Sequence, residues 1–243
     1  MISFISFIVP AHNEAFEIGA ALESVFRSAR AVGCPFEVIV ANDASTDQTA
    51  DIARGTGARV IDVSLRKISA VRNAGAKVST GDLLFFIDAD THLQEATLRA
   101  AIRAVERGAA GGGASISFSD HVGRFNQIAI QLFSYVYGRI LGWAAGCFIF
   151  ARRDAFESAG GFDETLYACE EVALSLALKR QGPFTVLRET VLTSGRKLRM
   201  YSPFLIIPLT LRFLRYGPAI FRERRGLEWW YEGKRESRSP PQL

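Results

Sequence analysis

Leu83-Leu-Phe-Phe-Ile87 runs without a break into Asp88-Ala-Asp90. A short apolar run rich in aromatic and branched residues, entered from Gly81-Asp82, predicts a buried strand. The carboxylates that end it then stand one residue apart in a turn open to solvent. Hard divalent cations take oxygen ligands, and Mg2+ is usually held by one or two carboxylates together with phosphates. A turn, or a capping pair ahead of a helix at Glu95, explains the same triplet. The triplet alone favours the turn, so its surroundings decide.

Working outward, Phe4–Val9, Phe36–Val40 and Ala58–Val63 read as further strands. Helical patterns separate them. One opens at Asn13-Glu14 and continues through Ile18, Leu22, Val25 and Phe26, and Thr49–Arg54 and Lys67–Ala76 follow. Downstream, Glu95–Arg107 spaces Ala96, Leu98, Ala101, Ile102 and Val105 as a helix does. Strand and helix in alternation predict an α/β fold, a parallel sheet with helices on both faces. Ligands of such sheets bind beyond the carboxyl ends of the strands. Asn13-Glu14, Asn42-Asp43 and Asp88-Asp90 are all expected at that edge. The second half is less regular. Gly108–Gly113 reads as glycine-rich punctuation, Ala114–Phe118 as a strand and Phe125–Leu141 as a helix. Ala145–Ala151 reads as a strand, Asp154–Ala159 as a short helix closed by Gly160-Gly161, Glu170–Arg180 as a helix and Phe184–Leu187 as a strand.

The chain has 243 residues, 49% hydrophobic and 22% charged, which suits one large α/β domain or one domain with a small appendage. A net charge of +4 is too small to argue for nucleic acid. Basic residues gather at the C-terminus, in Arg215, Arg222, Arg224, Arg225, Lys234, Arg235 and Arg238. That tail suits an anionic membrane surface or a phosphorylated acceptor, and equally a solvated tail. Three cysteines, Cys34, Cys147 and Cys169, are widely spaced without a CxxC, so a reducing cytosolic location fits best. The apolar N-terminus lacks a basic region and a cleavage site, and reads as a strand. Ile128–Phe150 carries Arg139, and Pro203–Phe221 carries Arg212, Arg215, Pro208 and Pro218, so neither reads as a spanning helix. The second reads as an amphipathic helix on the inner face of a membrane, or as a helix packed on the domain.

The polar motifs come in a fixed order. Pro10-Ala-His-Asn13-Glu14 is followed by Asn42-Asp43-Ala-Ser45-Thr-Asp47-Gln-Thr49, then Arg72-Asn73-Ala-Gly75, then Gly81-Asp82 and Asp88-Ala-Asp90. Gly146-Cys-Phe-Ile-Phe, Gly160-Gly161-Phe162-Asp163-Glu164 and Glu170-Glu171 continue the series. The whole resembles the family 2 inverting glycosyltransferases of GT-A fold, over roughly residues 4–190. The resemblance implies a GT-A-like nucleotide-sugar-binding fold: a mostly parallel sheet flanked by helices, with a helical C-terminal extension.

It also implies roles. Pro10, Asn13, Glu14, Asp43, Arg72, Asn73 and Asp88 would bind a UDP- or GDP-sugar. Among them Glu14 would contact the nucleotide, Asp43 the base, and Arg72 and Asn73 would lie beside the nucleotide and pyrophosphate. Mg2+ or Mn2+ would sit on Asp90, with Asp88 shared between ribose and metal. Gly161, Phe162 and Asp163 would form an acceptor-side loop. The inverting reaction needs a general base, which would be Glu170 or Glu171. Family members often have Glu-Asp there, so Glu171 is a departure and the choice stays open. Helix-dipole stabilisation is the other account of that acidic pair, and the family pattern favours the base.

Further residues carry weaker signals. Trp143 and Gly146 read as lining an acceptor or donor-sugar pocket, with core packing favoured for Trp143. His92 reads as a solvated residue at a helix start. Ser194-Gly-Arg-Lys197 reads either as a basic turn or as a cation pair meeting the diphosphate. Residues 1–195 would form the catalytic domain, 1–107 its nucleotide-binding half and 108–195 its acceptor half, with 196–243 a basic amphipathic extension. The acceptor is not named by the sequence, although the tail tilts toward a lipid-linked one. Two alternatives stay open. A nucleotidyltransferase would need a glycine- and basic-rich phosphate loop near the first strand, which Pro10-Ala-His-Asn13-Glu14 does not supply. A non-catalytic nucleotide-sugar-binding protein of the same fold is the other.

Overall fold

The computed structural model describes residues 2–118, 136–195 and 221–222, the side chain of residue 139 excepted. The first half alternates as expected: β1 (Ile5–Ala11), α1 (Ile18–Val32), β2 (Phe36–Asp43), α2 (Thr49–Gly55), β3 (Arg59–Val63), α3 (Ile68–Val78) and β4 (Leu83–Ile87). Then come β5 (Thr91–His92), α4 (Glu95–Glu106), β6 (Gly111–Phe118), a π-helical turn (Val136–Ile140), β7 (Phe148–Arg152), α5 (Arg153–Ser158), α6 (Glu170–Gln181) and β8 (Phe184–Thr193).

All eight strands form one sheet in the order β3-β2-β1-β4-β7-β6-β8-β5. β3, β2, β1 and β4 run parallel, and β6 and β8 pair in parallel. β7 is antiparallel to both β4 and β6, and β5 is antiparallel to β8. The alternating residues of each strand supply two cores. Phe7, Val9, Phe85, Ile87, Phe148 and Phe150 pack with α1 and α4 on one face, where Ile18, Leu22, Val25 and Ala29 make the buried stripe of α1. Ile8, Leu84, Phe86, Ile149 and Ala151 pack with α3, α5 and α6 on the other.

Four expectations change. Gly111, Gly112 and Gly113 are strand and not punctuation. A side chain at Gly112 would run into the Phe150 ring and the Thr185 carbonyl, so β6 can lie between β7 and β8 only without one. His92 does not start a helix, because β5 pairs it with Leu192 of β8. The 125–141 helix is described only at its end, where Val136–Ile140 winds as a π-helical turn. Phe221, from the expected extension, is 4% exposed and packs on Leu166, while Tyr167 N–H donates to its carbonyl at 2.7 Å. The rest of 196–243, including Arg196, Lys197 and the amphipathic 203–220 stretch, lies outside the described residues. No described helix is long and apolar enough to cross a membrane.

Candidate active site

The carboxyl ends of β1, β2 and β4 bring the expected polar clusters to one edge. The β2–α2 loop scaffolds the β1–α1 loop. Asn13 N–H donates to Ser45 Oγ at 2.9 Å, Glu14 N–H to Thr49 Oγ1 at 2.7 Å, and Ala15 N–H to Asp47 Oδ2 at 3.2 Å. Asn13 Oδ1 in turn accepts from Thr46 N–H at 2.6 Å. Ser45, Asp47 and Thr49 therefore hold the first motif in place, and these three amides are already engaged.

Asp43, 6% exposed, accepts the N–H groups of Leu65 and Arg66 on Oδ1, at 2.7 and 3.1 Å. His12 Nδ1 lies 2.6 Å from the Asp43 carbonyl, and Nε2 lies 3.0 Å from Arg66 Nη1. A carbonyl only accepts and a guanidinium only donates, so Nδ1 carries the proton. Among the described residues other than glycine, Asn13, Ala44, Arg66 and Cys169 have positive φ, between 49° and 60°. Each belongs to a loop at this edge. Such backbone strain collects where surrounding contacts over-determine a functional loop.

Asp88 and Asp90 do not cap a helix. The N-cap of α4 is Gln94, and β5 stands between. Instead the turn is tied to neighbouring strands: Asp88 N–H donates to Cys147 O at 3.1 Å, and Ser194 N–H to Asp90 O at 3.3 Å. Asp88 Oδ1 accepts from Arg72 Nη2 at 2.8 Å. Asp90 Oδ1 lies 3.5 Å from Thr193 Oγ1. Among the described residues no third His, Cys, Asp or Glu joins them as a metal cluster.

Arg72, expected beside the nucleotide, is 2% exposed. Its guanidinium reaches Asp88, Glu170 Oε1 at 2.8 Å and the Gly146 carbonyl at 2.7 Å. Burial pulls its pKa down, but the charges of Asp88, Glu170 and Glu171 more than offset this and raise it. Asn73 is likewise committed elsewhere. Its Nδ2 donates to Phe162 O at 2.9 Å and to Glu164 Oε1 at 2.8 Å, and its Oδ1 accepts from Phe162 N–H at 3.0 Å. Phe162, expected at the acceptor, is 1% exposed, and its ring meets Phe86 edge-on at 4.9 Å. Gly161 sits above Asn73. Asp163 folds back on its own loop, accepting from Thr165 N–H and Oγ1, and these bonds hold its carboxyl below the usual range although burial opposes them.

The acidic pair opens α6, and its members differ. Glu170, 6% exposed, is spent on Arg72. Glu171 accepts from Tyr137 OH at 2.8 Å. Burial, reinforced by the charge of Glu170, pushes the Glu171 carboxyl up to about 7. Tyr137 carried no signal in the sequence beyond a place in an apolar segment. Trp143 packs edge-on against it at 5.4 Å. Lys67, also unforeseen, donates to the Glu164 carbonyl and lies 3.8 Å from the Tyr167 ring centre, pinning the same loop.

The description "Glycosyl transferase family 2" matches residues 6–158, more than half of the chain. The chain belongs to that family. A 4,4'-diaponeurosporenoate glycosyltransferase of Staphylococcus haemolyticus is 36% identical over 111 residues, covering 42% of this chain and 28% of that enzyme. The match thus spans less than a third of the relative. TarS residues 1–349 of S. aureus, solved with UDP-GlcNAc, superposes with a TM-score of 0.61 at 21% identity, covering 79% of this chain and 58% of that one. The mannosyltransferase PcManGT of Pyrobaculum calidifontis, solved with GDP-Man and Mn2+, gives 0.64 at 16% identity, covering 98% and 66%. These likenesses show the GT-A fold: a mostly parallel sheet flanked by helices.

Proposed function

We propose that the chain transfers a sugar, with inversion, from a UDP- or GDP-sugar to an acceptor hydroxyl, with Glu171 as general base. The observation that carries this is the contrast within the acidic pair. Glu170 is paired with Arg72, whereas burial and the charge of Glu170 hold Glu171 near pH 7. A base poised near the working pH combines correct protonation with useful proton affinity. The acceptor oxygen attacks the anomeric carbon from the side opposite the diphosphate, and Glu171 takes its proton as the bond to the diphosphate breaks.

Asp88 and Asp90 suit a divalent cation such as Mg2+ or Mn2+. Two carboxylates supply hard oxygens, and the donor phosphates complete the shell, as these ions usually require. When bound, the cation stabilises charge on the departing nucleoside diphosphate. Asp43 and Glu14 are proposed to contact the base and nucleotide. The nucleotidyltransferase reading lacks support, since the Asn13–Ala15 amides that a phosphate loop would use are bonded to Ser45, Thr49 and Asp47. The relative named for 4,4'-diaponeurosporenoate, together with the basic C-terminal sequence, supports an apolar or lipid-linked acceptor met at the inner membrane surface. Residues 1–195 are proposed as the catalytic unit.

Calorimetry with UDP and GDP, with and without Mn2+, tests the donor site. Metal-dependent binding of one nucleotide is expected, and it should be lost in Asp90→Asn. Binding of neither with Mn2+ present would sink the reading. A sugar-nucleotide screen monitored by nucleoside diphosphate release then names the donor.

A further inference from the structure

We infer that Tyr137 is the positioning residue of the base: its hydroxyl holds Glu171 Oε1 and leaves Oε2 to take the acceptor proton. The inference rests on the proposed role of Glu171. A carboxylate on a flexible side chain offers either oxygen in many directions. One held at a single oxygen offers the other in one direction, and such pre-alignment is a large part of catalytic rate.

The geometry fixes both partners. Tyr137 belongs to a π-helical turn, a form that is rare and frequent at functional sites. Leu141 N–H donates to Val136 O at 2.9 Å and Trp143 N–H to Tyr137 O at 3.1 Å, closing the turn on itself. The Tyr137 ring rests on Trp143 at an interplanar angle of 78°. The same segment is fastened to α6 at two further points. Ser175 Oγ accepts from Ala144 N–H at 3.1 Å while donating to the Glu171 carbonyl at 2.7 Å. Lys179 Nζ donates to Leu141 O at 2.9 Å. The Tyr137–Glu171 bond thus spans two segments already held in register.

Four charged or titratable groups bear on Glu171. Glu170 and Cys169 come from its own segment, Arg72 from α3 and Tyr137 from the π-helical turn. Burial and Glu170 favour its neutral form, whereas its own backbone N–H, then Tyr137 and Arg72, favour its ionised form. Burial and the Glu171 charge push the Tyr137 phenol far above its usual range, so it remains a donor. Tyr137 therefore aims the base and, with the Glu171 N–H and Arg72, favours its ionised form.

Tyr137→Phe removes one oxygen and keeps the ring. Carbon-13 NMR of the full chain, labelled at the glutamate carboxyls, reads the titration of Glu171 without any ligand. Its resonance is assigned by its loss in Glu171→Gln. The midpoint is expected to rise by about one pH unit in Tyr137→Phe. The acid limb of nucleoside diphosphate release from UDP-glucose or GDP-mannose, with Mn2+ and water as acceptor, should move with it. UDP and GDP affinities should stay unchanged. Replacing tyrosine by 3-fluorotyrosine makes the phenol a stronger donor, and should move the midpoint down. An unchanged midpoint in a folded variant overturns the inference, whatever the rate does. If Glu171→Gln is then inactive, the base assignment stands and only the role of Tyr137 falls. Full activity in Glu171→Gln removes both.

Discussion

Arg72 Nη1 donates to Glu170 Oε1 at 2.8 Å, with the two side chains 2% and 8% exposed. One buried cation thereby joins the first turn of α6 to the end of β4, since its Nη2 holds Asp88. Breaking a buried pair from one side leaves an uncompensated charge, which costs about 3–5 kcal/mol. Arg72→Met should lose about that much at pH 7. Glu170→Gln keeps an acceptor for Nη1 and should lose about 1–2 kcal/mol. Urea denaturation at pH 7 checks the ranking. An Arg72→Met variant as stable as Glu170→Gln would refute it.

Asn73 and Gly161 should fail together. Asn73 meets both backbone groups of Phe162, and a Cβ at Gly161 would stand 2.9 Å from Asn73 Oδ1. Gly161 also has φ +72°, which a side chain resists. Gly161→Ala is expected to destabilise by about 1–3 kcal/mol, and Asn73→Ala by a similar amount, since Phe162 would lose two partners. Part of the Gly161→Ala cost is the clash with Asn73, so the double variant should lose less than the sum. A fully additive cycle in thermal or urea melts would show that the two act separately.

The parallel half of the fold was legible because its signals are local. Buried runs such as Leu83–Ile87, set between helices of clear period, leave few arrangements. Loops after β1, β2 and β4 then had to share an edge, and Glu14, Asp43 and Asp88 followed. What stayed hidden depends on contacts between distant segments. Arg72 and Glu170 lie 98 residues apart, and no spacing rule pairs them. A motif that reads as ligand-facing, Arg72-Asn73, also organises other residues, because an arginine or an asparagine with many donors serves a buried junction as well as a phosphate. Tyr137 was illegible for the same reason, as its meaning lies wholly in meeting Glu171. The two-residue β5 was too short to show any period.

Asp43 has a structural task and a proposed recognition task, and two substitutions separate them. Oδ1 receives two backbone N–H groups from the loop after β3. Asp43→Asn retains an oxygen for them and should change stability by less than about 1 kcal/mol. Its amide would turn donors toward a base edge that itself donates, the N3–H of uracil or the N1–H of guanine. Nucleotide affinity should then drop by at least tenfold, a cost of about 1.4 kcal/mol. Asp43→Ala unpins the loop as well and should lose about 2 kcal/mol of stability. Calorimetry and denaturation together decide. Undiminished UDP and GDP binding by Asp43→Asn would remove Asp43 from base recognition.

Glu171 links function to stability through one pKa, raised by burial and by Glu170 from 4.5 to about 7. Between those values the folded chain keeps a proton that the unfolded chain has released. Stability therefore falls as pH rises through this window, and the loss is complete above pH 7. Glu171→Gln removes the titration and still offers an oxygen to the Tyr137 hydroxyl. It should be more stable than the parent at pH 8, on the order of 3 kcal/mol. Near pH 4.5 the two should melt together. Turnover should meanwhile fall by about 10²- to 10⁴-fold, the usual contribution of a general base. A gain in stability paired with a loss of rate is what a strained functional carboxylate predicts. Melting curves that coincide at pH 8 would mean that Glu171 titrates as an ordinary carboxyl. The physical reason for choosing it over Glu170 would then be gone.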